Sequence, residues 1–255
     1  MPQFQLHLPF IKLAFAITVA LLGSLPVGAQ FEKPMRGSNQ PRIFNTPPPP
    51  PDIGKPQTTT GGGSRGCESE DEQKQPTSSQ QQKLIALIPS NGWGLTTSDR
   101  PTFWFYVAYS RQLSGEFVLQ DEAERTIYQT RLTMTGTPGV VSFSLPSTVA
   151  PLEIGKRYRW YFNIYCQPEQ VPVFVEGWIK RAEPNPTLNS QLEKATPQQR
   201  VSLYAAEGLW YNALSLSAEL HRTNANDTNW TALLKDVGLD AIATEPIVEC
   251  CQPEN

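Results

Sequence analysis

The sequence predicts an all-β sandwich, immunoglobulin-like and built from about seven short antiparallel strands, with a C-terminal α-helical hairpin behind it and a disordered neck before it. Three observations predict this. Runs of strand-forming residues recur between Leu84 and Lys180, separated by turn residues and without a helical pattern between them. After Arg181 the apolar spacing becomes helical, and before Lys83 a long stretch has almost no apolar content. The boundaries that follow are a leader over 1–29, a linker over 30–80, the sandwich over 81–182 and a helical extension over 183–255.

In order along the chain, the run from Leu8 to Leu25 is apolar apart from Lys12, Thr18, Gly23 and Ser24. Val27 and Ala29 supply the small residues before a cut after Ala29, the pattern of a secretory signal peptide. A retained membrane anchor is the rival reading, and the run is short for a bilayer span. The expectation is therefore an exported protein, in the periplasm or outside the cell, without a transmembrane span after cleavage. The linker holds the uninterrupted prolines Pro47 to Pro51, then Gly61-Gly62-Gly63 and Gln80-Gln81-Gln82. Such prolines favour a stiff polyproline II spacer, and the polar remainder cannot bury enough surface to offset its ordering entropy. Pro47 to Pro51 also satisfies the spacing of a proline-rich ligand, although spacer use is the commoner fate of such runs.

The strands begin with Leu84 to Ile88, stopped by Pro89. Pro101 opens Thr102 to Tyr109, and Gly115–Gln120, Arg125–Met134, Gly139–Leu145, Arg157–Cys166 and Val171–Lys180 follow. Asn91-Gly92, Ser114-Gly115, Thr137-Pro138-Gly139 and Pro146 supply the turns. Alternation assigns the faces. Tyr158, Trp160, Phe162, Ile164 and Cys166 share one side and should face the core, with Arg159, Tyr161, Asn163 and Tyr165 opposite. In the second strand both sides are bulky: Phe103, Phe105, Val107 and Tyr109 on one, Trp104, Tyr106 and Ala108 on the other. That strand is central, or its outer face is covered. Leu152, Gly155 and Tyr158 match the layout of a tyrosine corner.

In the extension, Thr196-Pro197-Gln198-Gln199 supplies an N-cap, a first-turn proline and a capping-box glutamine. A helix from Gln198 to about His221 carries Val201, Tyr204, Ala205, Leu209, Ala213, Leu216 and Leu220 at helical spacings, with Gly208 interrupting it. Asp227 or Thr228 can cap a second helix from Asn229 to about Val237, which Gly238 stops. Tyr204 to Leu214 resembles the turn of a tetratricopeptide hairpin, yet one such unit is too few for a solenoid. A helical pair packed on the sandwich is the preferred reading.

Several strings, taken together, resemble one family: Leu84-Ile-Ala-Leu-Ile-Pro89, Gly94-Leu-Thr96, Arg100-Pro-Thr-Phe-Trp-Phe-Tyr106, Phe117-Val-Leu-Gln-Asp-Glu122, Gly155-Lys-Arg-Tyr-Arg-Trp-Tyr-Phe162 and Val175-Glu-Gly-Trp-Ile-Lys-Arg181. It is an uncharacterised domain-of-unknown-function family of exported cyanobacterial proteins marked by a strand of the PTFWFY type. The resemblance covers roughly residues 65–240. It implies a signal peptide, a proline-rich neck and a β-then-α module, and it supplies no catalytic residues.

Cysteines in an exported chain meet oxidising conditions, and the four here favour pairing. Three full pairings are formally possible. The first choice is Cys67–Cys166, which would pin the end of the neck to the sandwich and is worth about 4.7 kcal/mol in the chain-entropy model for a loop near 100 residues. A bridge between the neighbours Cys250 and Cys251 would close a strained eight-membered ring. They are expected to stay free, to pair between molecules or to exchange partners with the other cysteines. No CxxC spacing or nearby histidine suggests zinc.

The function classes narrow further on charge and motif. A net charge of −3 gives no basic footprint for nucleic acid, and no P-loop or HExxH occurs. No catalytic residue, metal ligand or cofactor is assigned. Asp121, Glu122 and Glu124 form a compact acidic cluster at a turn, and calcium binding or sugar hydrolysis is weighed there against a solvated hairpin turn, which is preferred. His221 closes the long helix, where an imidazolium suits the dipole. Asn226-Asp-Thr228 and Asn229-Trp-Thr231 match the glycosylation sequon but overlap a helix cap. The aromatics are the least ordinary feature. Trp104, Tyr106, Tyr161 and Tyr165 on one outer face would make an exposed binding platform, whereas helices lying over that face would make them structural; Leu209, Trp210 and Leu216 need such a surface. The expected function is an exported, non-enzymatic interaction module with an unknown protein or polysaccharide partner in the cell envelope. The alternatives are a carbohydrate-active hydrolase using the acids and a glycan-binding wall protein using the aromatics.

Overall fold

A computed structural model describes residues 43–54, 58–60, 67, 83–167 and 169–253. The expected leader over 1–29 and the rest of the linker lie outside the described residues. The strands are β1 (Leu84–Ala86), β2 (Trp93–Thr96), β3 (Thr102–Val107), β4 (Ser114–Gln120), β5 (Thr126–Thr133), β6 (Gly139–Ser144), β7 (Arg157–Tyr165) and β8 (Val173–Arg181), with a short β9 (Gln252–Pro253) near the C-terminal end. The helices are α1 (Pro186–Lys194), α2 (Pro197–Ala206), α3 (Trp210–Thr223) and α4 (Asn229–Asp236).

The strands form two sheets, a three-stranded one in the order β1-β3-β6 and a six-stranded one in the order β2-β8-β7-β4-β5-β9. The period-2 ladder on β7 turns inward: Tyr158, Trp160, Phe162 and Ile164 are all buried. Across the interface Phe105 of β3 stacks on Phe162 at 4.1 Å between ring centroids, and Phe103 lies 4.8 Å from Phe117 of β4. These stacked and tilted aromatic pairs fill the space between the two pleated layers. At Gly177 of β8 an added Cβ would collide with the Trp160 ring, so that indole requires a glycine opposite it. The Tyr158 hydroxyl accepts the Glu153 N–H at 2.9 Å, tying the entry of β7 back to the loop before it.

Two features depart from the sequence reading. First, the body is not wholly antiparallel. β2 lies parallel to β8, from Trp93 opposite Trp178 to Thr96 opposite Arg181. The chain leaves β1 at Pro89, turns at Gly92 and crosses to the other sheet, where it takes the open edge beside β8. Local pattern cannot report this pairing, because four residues starting beside a glycine carry little periodicity and the partner is distant in sequence. Second, the extension holds four helices rather than a hairpin. Gly208, at φ +71°, stops α2 and lets the chain re-enter a helix at Trp210, so the interruption read at that glycine separates two helices. The Thr196 capping box is formed, whereas α1 buries only Leu188 and so leaves almost no apolar signal.

Helix α3 docks through three consecutive residues. Trp210 Nε1 donates to Leu87 O at 2.9 Å, and the Tyr211 hydroxyl accepts from Trp160 Nε1 at 2.8 Å while donating to Trp178 O at 3.2 Å. Asn212 Oδ1 accepts from Thr97 N at 2.9 Å. Burial pushes the Tyr211 hydroxyl pKa far up, so it stays protonated and can keep donating. Further along, Trp104 Nε1 donates to Ser215 Oγ at 3.1 Å and its ring meets Trp230 of α4 at 6.0 Å. The outer face of the three-stranded sheet is thus roofed by α3 and α4. His221, in the last turn of α3, stacks on Trp230 at 6.1 Å. Asp227 accepts the Asn229 N–H at 2.9 Å, the side-chain bond that opens α4.

The described parts of the linker run across this body. Phe44 is buried against Trp210, with its N–H donated to Asp236 Oδ2 at 2.7 Å, and Asn45 N donates to Ala205 O at 3.0 Å. Thr58 O accepts from Glu176 N and Thr59 O from Ala86 N, so residues 58–60 join an edge of each sheet. Cys67 is bonded to Cys166. At the opposite edges, Val140 N donates to Pro246 O and accepts back from Val248 N, and β9 then pairs with Leu132 and Thr133 of β5. Cys250 and Cys251 are bonded to each other, correcting the expectation that they would not bridge. The physical reason is that Cys251 adopts φ +69°, a left-handed conformation that lets the chain turn sharply enough to close the ring. Among the described residues no helix is long and apolar enough to cross a membrane.

Candidate functional site

The outer face of the six-stranded sheet is built by the same alternation that fills the core. On β7, Arg159, Tyr161, Asn163 and Tyr165 point away from the buried ladder. Register then sets their neighbours: Tyr161 lies between Glu176 of β8 and Val118 of β4, and Asn163 lies beside Glu116 of β4, which faces Arg131 of β5. Arg159 is opposite Trp178. Aromatic and charged groups therefore interleave across several strands.

Two carboxylates anchor this face. Glu116 is 8% exposed and accepts from Gln129 Nε2 at 2.6 Å, Tyr165 Oη at 2.8 Å and Asn163 Nδ2 at 2.9 Å. Burial alone would raise its pKa, but these three donors, aided by the Arg131 charge, hold it below the ordinary glutamate value. Glu176 is 1% exposed and pairs with Arg159 at 2.6 Å. The Arg159 guanidinium lies over Tyr161 at 5.0 Å and Trp178 at 5.7 Å, geometry suited to cation–π attraction. Burial raises the Tyr161 hydroxyl pKa, and for Tyr165 burial and its bond to Glu116 act together in the same direction. The face is thus a fixed hydrogen-bond lattice from which half-buried rings emerge. It continues at one end into a cleft of about 430 Å³ lined by Ser114, Arg131, Tyr165, Cys166 and Gln167.

The structure does not bring the four aromatics singled out in the sequence onto one platform. Trp104 and Tyr106 belong to β3, on the outer side of the three-stranded sheet, and Tyr161 and Tyr165 to β7, on the outer side of the other sheet. The two strands stack inner face to inner face, so their outward residues point in opposite directions. Trp104 is covered by the helices, and Tyr106 is half-buried beside Glu245, with its hydroxyl pKa raised by burial and by that carboxylate. Only Tyr161 and Tyr165 remain together.

The acidic turn is also placed. Asp121 Oδ1 accepts from Ala123 N at 2.9 Å and Arg125 N at 3.0 Å, and Asp121 pairs with Arg125 at 2.7 Å. Glu122 Oε1 accepts from Arg157 N at 3.0 Å and Nε at 3.1 Å, and Arg157 also reaches Asp52 at 2.8 Å. Glu124 sits at φ +59° in the turn. Hydrogen bonds from Arg125 hold Asp121 below the ordinary carboxyl range, and those from Arg157 do the same for Glu122. A cleft of about 440 Å³ opens beside them, lined by residues such as Glu153, Lys156 and Tyr158. Among the described residues no group of His, Cys, Asp or Glu could hold a metal ion.

Sequence reasoning missed Glu116 and Glu176. Their signal was present, since each is a lone acid inside an otherwise apolar or aromatic strand, but its meaning depends on which strands become neighbours.

No curated protein matches the sequence. The family model for the Domain of Unknown Function (DUF928) does match, over residues 60–247, which takes in β1 to α4 and the start of the C-terminal tail. With most of its length accounted for by that one model, the chain belongs to the DUF928 family.

Proposed function

We propose that this protein is an exported, non-enzymatic interaction module that holds a cell-envelope partner on the outer face of its six-stranded sheet. One observation carries the reading: the molecule roofs one outer sheet face with helices, while on the other Tyr161, Tyr165 and Trp178 stay half-buried above a lattice anchored by Glu116 and Glu176. Rings fixed by their neighbours lose little freedom on binding, which is what a recognition surface needs. The leader pattern and the Cys67–Cys166 bridge support export. The strand order and the Tyr158 corner support the immunoglobulin-like description.

The acids support a structural role over hydrolysis. A general acid for glycosidic cleavage needs a raised pKa, whereas Asp121 and Glu122 are both held low by arginine. The test compares the full chain with two variants, Tyr161→Ala/Tyr165→Ala and Asp121→Ala/Glu122→Ala, in binding to envelope material. The face variant should bind about tenfold or more weakly and the acid variant should bind normally. Equal binding by the face variant, or substrate turnover lost in the acid variant, would overturn the reading.

A polysaccharide partner is favoured by one further arrangement. The Trp178 and Tyr161 rings flank Arg159 beside the Glu176 carboxylate, which places stacking faces next to donors and acceptors for hydroxyl groups. Titration with wall polysaccharides should then change the fluorescence of Trp178. An unchanged signal that persists in the presence of a bound protein partner would leave protein as the ligand.

A further inference from the structure

We propose that Cys250–Cys251 is a thiol–disulfide exchange site whose substrate is an exogenous dithiol, and that its reduction releases β9 from the β5 edge. Adjacent cysteines can bridge only by closing an eight-membered ring that includes a peptide bond, and here Cys251 is held at φ +69°, where a non-glycine residue is strained. Strained bridges are the readily reduced ones. The other bridge joins residues 99 apart in sequence and imposes no such ring. Access is also suitable, because Cys250 is half-buried while Cys251 is buried.

The exchange is balanced. A thiolate of the dithiol attacks Cys250 Sγ, forming a mixed disulfide and expelling Cys251 as a thiolate that takes up a proton. The second thiol of the reductant, losing its proton, attacks the first and leaves as a cyclic disulfide. Cys250 departs as a thiolate and is protonated. The reductant loses two electrons and the bridge gains them.

The ring also directs the tail. Upstream, the chain is fixed by the hydrogen bonds between Val140 and Pro246 and between Val248 and Val140. Beyond Cys251, among the described residues, only Gln252 and Pro253 pair with β5. A strand of two residues does not hold itself. Its direction is set by the turn at Cys251, and opening the ring frees that residue to leave the left-handed region. Met134, which directly follows β5, is buried with its sulfur 3.7 Å from Cys251 Sγ and 3.9 Å from Cys250 Sγ. Two separate thiols need more room than a bridge, so Met134 must shift when the ring opens, and it carries the end of β5 with it.

The full oxidised chain is treated with graded dithiothreitol without denaturant, then alkylated and mapped by mass spectrometry, with deuterium exchange followed over Thr126–Thr133. Cys250 and Cys251 should be labelled at about tenfold less reductant than Cys67 and Cys166, with exchange at Thr133 rising about tenfold in the same range. Cys250→Ser/Cys251→Ser should show the raised exchange without reductant. Prior or simultaneous opening of Cys67–Cys166 would overturn the proposal. So would unchanged exchange at Thr133 after labelling of Cys250 and Cys251, or full protection in the double variant.

Discussion

The two outer sheet faces begin from similar sequence and end in opposite states. On β3, Trp104 and Tyr106 alternate with core residues; on β7, Tyr161 and Tyr165 do the same. Trp104 donates to Ser215 and lies under α3 and α4, while Tyr161 stands beside Arg159 and Glu176 with no helix over it among the described residues. An aromatic on the outward side of a strand therefore has no fixed meaning. What decides is whether the remaining chain carries an apolar surface shaped to cover it.

The largest test of this contrast is Trp210→Ala. The residue is 0% exposed and its Nε1 satisfies Leu87 O, so truncation removes packing and leaves that carbonyl without its partner. Urea unfolding should show a loss of about 4–5 kcal/mol. A loss below about 2 kcal/mol would mean that the roof is loosely attached. Next comes a matched pair. Trp104→Ala should cost about 3 kcal/mol, and Tyr161→Ala less than about 1 kcal/mol, in the same unfolding assay. Equal costs would erase the distinction between the faces.

The smallest effect is a pH dependence. The folded pKa of Glu116 lies below its unfolded value of about 4.3, so its stabilisation is complete above that value and fades as pH falls through the folded pKa. Glu116→Gln should flatten the acid limb of stability against pH, measured by denaturation from pH 7 downward. An unaltered limb would show that the lattice is held by its neutral donors alone.

Much of the body was legible because it depends on local periodicity. The ladder of β7 follows from alternation, the capping box from Thr196 and Gln199, and the division at Gly208 from the conformation that glycine permits. The roof over Trp104 could be anticipated from a strand bulky on both sides and helices with apolar residues to bury. The rest depends on distant partners. β2 carries too short a pattern to announce a parallel neighbour. Phe44 is one aromatic in a polar, proline-rich stretch, and nothing nearby shows that Trp210 receives it. Glu116 and Glu176 carry no meaning within their own strands, and only register surrounds them with Tyr165, Asn163 and Arg159. At the acidic turn, the ionic partners Arg125 and Arg157 were visible as residues but not as neighbours.

The route of the linker has a mechanical consequence. Tension applied from the N-terminal side first meets Phe44 in its socket and the hydrogen bonds of Thr58 and Thr59, which give way one after another. It then reaches Cys67, where a covalent link to Cys166 diverts the load to the end of β7 and bypasses β1. The loop that this bond closes, from β1 to the end of β7, is shielded from the load, whereas β8 and the helices beyond Cys166 stay on its path toward the C-terminal side.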